Sequence, residues 1–227
     1  EKFLEEIKRS EFEITDITTK KGEESPPRLF DLTSLQVECN RKFSFSAEDT
    51  LKTIQSLYEK KLTTYPRVDT TYLSEDIYPK ITPTLKGLQG YEELVRPLLE
   101  KQLPKTKKVF DNKKVTDHHA IIPTGVKALN LTDNERKVYD LVTRRFIAVF
   151  YPNCKVATTT VLGKAADVEF KVTGKQILHP GWRIVFEKET DKPNQEEEKN
   201  DISDHENLLP EFVKGETGPH IPALNEK

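Results

Sequence analysis

The hydrophobic period changes twice along this chain, and that pattern limits the fold more than any other feature. From Glu11 to Thr19 apolar and β-branched residues alternate with period two, which reads as a strand. Lys20 to Pro27 (KKGEESPP) has the composition of a turn or linker. A helical block follows. Thr33 with Gln36 forms a capping-box pattern that opens a helix to about Lys42. Ser46 with Asp49 opens a second to about Lys60, with Leu51, Ile54, Leu57 and Tyr58 as its buried stripe. The link FSFS is short, and Leu62 to Tyr65 is strand-like, so the trio resembles a helix-turn-helix with a wing strand. Residues 74–81 and 91–102 read as two further helices that Pro79, Pro83 and Pro97 interrupt or bound. Thr132 with Glu135 caps a long amphipathic helix to about Phe150. Period two then returns in Lys155 to Leu162, Val168 to Leu178 and Trp182 to Phe186. Residues 1–9 look like the tail of a helix, with Phe3, Leu4 and Ile7 on one face. The expected organisation is a helical domain over 30–154, inserted into a β-rich domain built from 1–29 and 155–227.

Charge is distributed unevenly. The 227 residues carry 36 Lys+Arg against 38 Asp+Glu, a net charge of −2. Residues 187–206 hold nine acids and three lysines, which reads as a solvated acidic loop. Lys101 to Lys114 holds six lysines and one acid, either a phosphate track or a solvated loop. An anionic partner therefore stays compatible with the near-neutral total, because phosphate responds to the local field. No run of about 18 apolar residues occurs, so no membrane-spanning helix is expected. The opening residues are charged, which is not a signal-peptide pattern. Cys39 and Cys154 are the only cysteines, which excludes a disulfide framework and a four-cysteine zinc site and fits a reducing cytoplasm. The chain begins at Glu1 and has no methionine, and is read as an internal piece of a longer protein.

Two segments could carry chemistry. In KLTTYPRVDT, Tyr65 and Arg67 share a face if the segment is extended, so both could meet one phosphodiester. A tyrosine hydroxyl with its usual pKa near 10 is a poor nucleophile until a cation supports the phenolate. By spacing alone, a packed wing tyrosine beside a solvated arginine is the commoner account. In DHHAIIPT, adjacent histidines diverge and make poor joint metal ligands, and no spaced third ligand follows Asp117. His118 near a phosphate is the functional alternative to an ordinary polar pair before a buried strand. No phosphate-cradling glycine motif occurs, which argues against nucleotide hydrolysis.

Taken together these segments resemble type IA DNA topoisomerases. LYEKKLTTYPRVDT (57–70) is similar to the family's active-site tyrosine motif, and DHHAIIPT (117–124) to its histidine motif. PPRLFDLTSLQVECNRKFSFSAEDTLKTIQSLYEKKLTTY resembles the stretch leading into the tyrosine. The YPR and HHAIIP forms are closer to the topoisomerase III branch. The resemblance implies a mixed α and β fold: a mainly helical, winged-helix (CAP-like) tyrosine domain inserted into the β-rich arch domain of the type IA toroid. It implies that Tyr65 attacks one DNA strand to form a 5′-phosphotyrosyl link, with Arg67 holding the scissile phosphate. His118, Thr64, Asp69 and His119 are expected on the DNA side of the pocket; His119 stands where the topoisomerase I branch tends to have Glu. Resealing would need no ATP, because the link conserves the bond energy. Mg²⁺ is implied for the full-length enzyme, on ligands outside this chain, so none is expected bound here and this chain would hold only part of the active site. Hinges are expected near 25–31 and 150–155. The implied partners are single-stranded DNA and the N-terminal metal-binding domain of the same polypeptide, in a cytoplasmic, nucleoid-associated monomer. The competing readings are a non-enzymatic winged-helix module that reads duplex DNA and an interaction fragment acting through the acidic loop.

Overall fold

The computed structural model describes residues 7, 9–186 and 217–218. Ile7 and Arg9 are helical, while Phe3, Leu4, the acidic stretch 187–206 and the apolar run 208–213 lie outside the described residues. Two compact units emerge. One is a sheet of β1 (Phe12–Glu24), β2 (Cys154–Ala165), β3 (Val168–His179) and the short β4 (Thr217–Gly218), in the order β3-β2-β1-β4 with antiparallel neighbours. The other comprises residues 25–153 and 181–186 and carries α1 (Leu32–Phe43), α2 (Ala47–Glu59), α3 (Tyr78–Gly87), α4 (Glu92–Leu99) and α5 (Asp133–Ala148).

In the sheet, β1 runs through Lys20–Glu24, which by composition looked like linker. Lys21 faces Ala157 and Glu24 faces Cys154, so a full-length partner keeps this charged stretch extended. One face collects Ile14, Ala157, Val161 and Ala165, all buried. Gly163 lies under the Phe12 ring, where any Cβ would collide with it. Trp182–Phe186 is not a third strand of this run. Gly181 takes φ +55, with Pro152 and Asn153 carbonyls where a side chain would start, and Gly181–Val185 winds as a 3₁₀ turn. The Trp182 amide donates to the Pro152 carbonyl at 3.0 Å, and Arg144 donates to Val185 O at 2.6 Å. A short apolar run does not distinguish a strand from such a turn.

The helical unit is organised on α5, which begins at the predicted Thr132–Glu135 capping box. Val138, Leu141 and Val142 enter one apolar cluster with Phe30, Leu35, Ile54, Leu57 and Ile121. Phe146 and Ile147 enter the other with Leu73, Ile81, Leu85, Phe110 and Val185. Truncating a fully buried side chain of this kind costs about 2–5 kcal/mol. The Ser46–Asp49 box opens α2 as predicted. In α1 the box sits two residues earlier than predicted: Asp31 caps, accepting from the Ser34 amide at 2.7 Å. Pro79 occupies the first turn of α3, where no donor is needed, whereas Pro83 and Pro97 lie inside α3 and α4 and do not bound them.

α2 and α5 are fastened where it matters for the residues that follow α2. Glu135 is buried, accepts from Ser56 Oγ at 2.7 Å and from the Thr132 amide at 2.8 Å, and pairs with Lys60 Nζ at 2.6 Å. Burial alone would raise its pKa. The Lys60 ammonium, the Ser56 hydroxyl and the Thr132 amide outweigh that and hold it at about 2, below the ordinary 4.5. A depressed carboxylate contributes stability that is complete above its unfolded pKa and is lost as pH falls toward the folded one. Stability should therefore decline from about pH 4.5 toward 2. Glu135→Ala should destabilise the chain by about 2–3 kcal/mol at neutral pH and blunt that acid sensitivity; urea denaturation near pH 7 and near pH 3 checks both.

Candidate active site

The tyrosine segment starts from a tight stop. After α2, Lys61 adopts φ +61, and the Leu62 amide returns to the Leu57 carbonyl at 2.9 Å. The chain then leaves regular structure and bends at Pro66. Pro66, Val68 and Thr70 are buried, while Tyr65 is half-buried and Arg67 and Asp69 are exposed. From Pro66 on, burial alternates, so Arg67 and Asp69 both face solvent. Tyr65 precedes a proline, which restricts it to extended backbone.

The histidine segment docks against it. Thr63 and Pro123 form a single antiparallel bridge; this replaces the wing strand expected at Leu62 to Tyr65. The Thr64 amide donates to Ile122 O at 2.9 Å, and the Thr124 amide to Leu62 O at 3.1 Å. Thr124 Oγ1 donates to Lys61 O at 2.6 Å. Behind this seam the Ala120 amide reaches Tyr72 O and the Ile121 amide reaches Phe30 O. Gly125, at φ +80, lies so close to the backbone of Thr84 in α3 that a Cβ would sit 2.8 Å from its carbonyl oxygen.

The docking brings Tyr65 and His118 together, with ring centroids 4.5 Å apart and planes tilted by 39°. Tyr58 meets Tyr65 edge-on at 5.5 Å. The sequence reading placed Tyr58 in the buried stripe of α2, but it is 39% exposed and belongs to this ring cluster. Its position in the last turn before the Lys61 reversal is the signal that marks it. Arg67 and Asp69 make no hydrogen bond or ion pair among the described residues. Thr64 lies in the seam, its hydroxyl bonded within the protein. His119 diverges from His118. Its Nδ1–H donates to Ala120 O at 2.8 Å, and burial lowers its pKa, against the Ala120 bond and the Asp76 carboxylate that raise it.

Cations gather on the same unit. Arg28 and Lys114 lie 5.1 and 4.9 Å from the Tyr72 ring centroid, and neither is in an ion pair among the described residues. Within the lysine-rich stretch, Lys105 pairs with Glu75 at 2.7 Å and Lys108 donates to Ser25 Oγ. Among the described residues no three His, Cys, Asp or Glu side chains converge as metal ligands. The described residues therefore do not fit a Mg²⁺ site. Both cysteines are buried free thiols, and burial pushes Cys39 up to about 11.

A family model described as DNA topoisomerase matches residues 1–225. The chain belongs to the DNA topoisomerase family. Curated relatives of this topoisomerase chain include DNA topoisomerase 3 of Bacillus thuringiensis (strain Al Hakam), 41% identical over 90% of the chain, and DNA topoisomerase 3 of Bacillus subtilis (strain 168), 38% identical over 84%. The chain spans only 28% and 26% of those relatives. Full-length topoisomerase I from Thermotoga maritima has a similar fold, with a TM-score of 0.61 at 22% identity, covering 95% of this chain and 34% of that one.

Within the topoisomerase chain, His119 should titrate below the ordinary 6.5. Asp76→Asn should lower it further, since the carboxylate favours the charged ring. An NMR titration of the ring protons reads both, and a His119 midpoint above 6.5 would contradict the burial described.

Proposed function

We propose that this chain is the tyrosine-bearing part of a type IA DNA topoisomerase of the topoisomerase III kind, which cuts one strand, passes DNA and reseals it, relaxing or decatenating DNA without ATP. The observation that carries the reading is the Tyr65 ring held against His118, with Arg67 exposed and unpaired among the described residues two positions on. Tyr65 Oη attacks the phosphorus of one phosphodiester, the 3′-oxygen leaves with a proton, and a 5′-phosphotyrosyl bond replaces the bond broken. Attack by that 3′-hydroxyl reverses each change, so no external energy source enters. Arg67 binds the phosphate by two-point contact and supports developing charge. His118 contacts a neighbouring phosphate, and Asp69 borders the strand. The remainder of the site, with the Mg²⁺ that the family resemblance implies, lies on residues outside this chain.

We read α1 and α2 as a helix-turn-helix whose wing is reduced to the Thr63–Pro123 bridge, and the sheet as part of the arch of a toroid. Single-stranded DNA is the substrate, and the setting is the cytoplasmic nucleoid. No described helix is long and apolar enough to cross a membrane. A duplex-reading winged helix is less well supported. On α2, Lys52 is paired with Glu48 at 2.7 Å, and at its end Lys60 is paired with Glu135, so the helix offers little free positive charge.

Two measurements test the reading. A 3′-labelled single-stranded oligonucleotide, mixed with this chain and the rest of its polypeptide in Mg²⁺ buffer, should transfer label to protein, and Tyr65→Phe should abolish the transfer. Label transfer that survives Tyr65→Phe would overturn the assignment. Separately, Arg28→Ala with Lys114→Ala should weaken single-strand binding and flatten its log–log salt slope by about 1.4, at about 0.7 per phosphate lost. Fluorescence anisotropy across a salt series reads this, and an unchanged slope removes these cations from the track.

A further inference from the structure

Two residues facing each other at a hydrogen-bonded position of an antiparallel pair exchange both N–H···O=C bonds. Thr64 and Ile122 exchange only one. The Thr64 amide donates to Ile122 O at 2.9 Å, but the return bond from the Ile122 amide ends on Thr64 Oγ1 at 3.0 Å. That hydroxyl donates its own proton to Ala120 O at 3.2 Å. The side chain thus stands where the main-chain carbonyl of Thr64 would otherwise be. The next bond of the pairing would run from residue 66 to Ala120 O. Ile121, the residue that Tyr65 would face, stands at a position whose amide points away from this seam, and it donates to Phe30 O at 2.8 Å. Pro66, following Tyr65, has no N–H to offer.

We propose that Thr64 is a positioning residue: its hydroxyl takes the Ile122 amide in place of the Thr64 carbonyl at the last pairing before Pro66, which turns the backbone there and sets the Tyr65 ring against His118. Its hydroxyl proton and one lone pair are used inside the protein, and it acts on DNA through Tyr65. The kinetic half of the test rests on Tyr65 being the nucleophile, as proposed above; the spectroscopic half does not.

The test compares Thr64→Val, which keeps the shape and loses the hydroxyl, with Thr64→Ser, which keeps the hydroxyl. In the 227-residue chain, the His118 ring protons should be displaced by the Tyr65 ring current, with Tyr65→Leu as the undisplaced reference. Thr64→Val should move them most of the way to that reference, and Thr64→Ser should leave them near wild type. With the rest of the polypeptide present, Thr64→Val should slow adduct formation at saturating oligonucleotide by tenfold or more, with affinity within about twofold, and serine should restore the rate to within about threefold. Wild-type His118 shifts retained in Thr64→Val, or a wild-type adduct rate in that variant, would overturn the proposal. Should valine prevent folding, the wild type decides: the Ile122 amide must be protected from hydrogen exchange, and an unprotected amide sinks the idea. Absence of any adduct in wild type, with the ring shifts behaving as expected, would count against the nucleophile and leave the positioning intact.

Discussion

The site depends on a short hydrogen-bonded seam between segments 56 residues apart, from Thr64 to Ala120. Only one residue pair in the seam, Thr63 and Pro123, forms a formal bridge, yet side-chain hydroxyls at Thr64 and Thr124 add three hydrogen bonds to the two between backbones. Each such bond contributes about 1 kcal/mol net, but leaving its buried partner unmade costs more, so the seam closes as a unit. The layer behind it is closely packed. Ile121 and Ile122 are buried, Gly125 abuts α3 without room for a methyl group, and α5 supports both apolar clusters. Open polar groups at Tyr65, Arg67 and His118 are therefore carried by a backbone that has few alternatives.

Electrostatics divides along the same line. Glu135 is surrounded by donors and draws Lys60 inward, fixing where α2 stops. Lys52 and Lys105 are neutralised by nearby carboxylates. Arg67, Arg28 and Lys114 have no such partner among the described residues. These three cations all lie on the unit that carries Tyr65.

What the sequence reveals follows how local the physics is. The boxes at Ser46–Asp49 and Thr132–Glu135 are legible because three residues contain the whole interaction. The same pattern misplaces the start of α1, since Thr33 with Gln36 satisfies it as well as Asp31 with Ser34. Lys20–Glu24 reads as linker because its extended state is imposed by β2, more than a hundred residues later. Trp182–Phe186 alternates like a strand, but Gly181 turns the backbone and Val185 is buried against α5. The proximity of Tyr65 to His118 has no local signature; only resemblance to a family linked the two segments. Tyr58 escaped notice because a helical stripe predicts burial and does not see the reversal that follows it.

The separation of the two segments also orders events during synthesis. Tyr65 leaves the ribosome well before residues 118–124 exist, and at about 5–20 residues per second the interval is a matter of seconds. Through that time Tyr65 has neither its ring neighbour nor its seam, and no partial site stands on the nascent chain. The sheet closes later still, because Phe12 must wait for Ala165. A reactive arrangement that assembles only from distant pieces is thus withheld until the unit around it is complete.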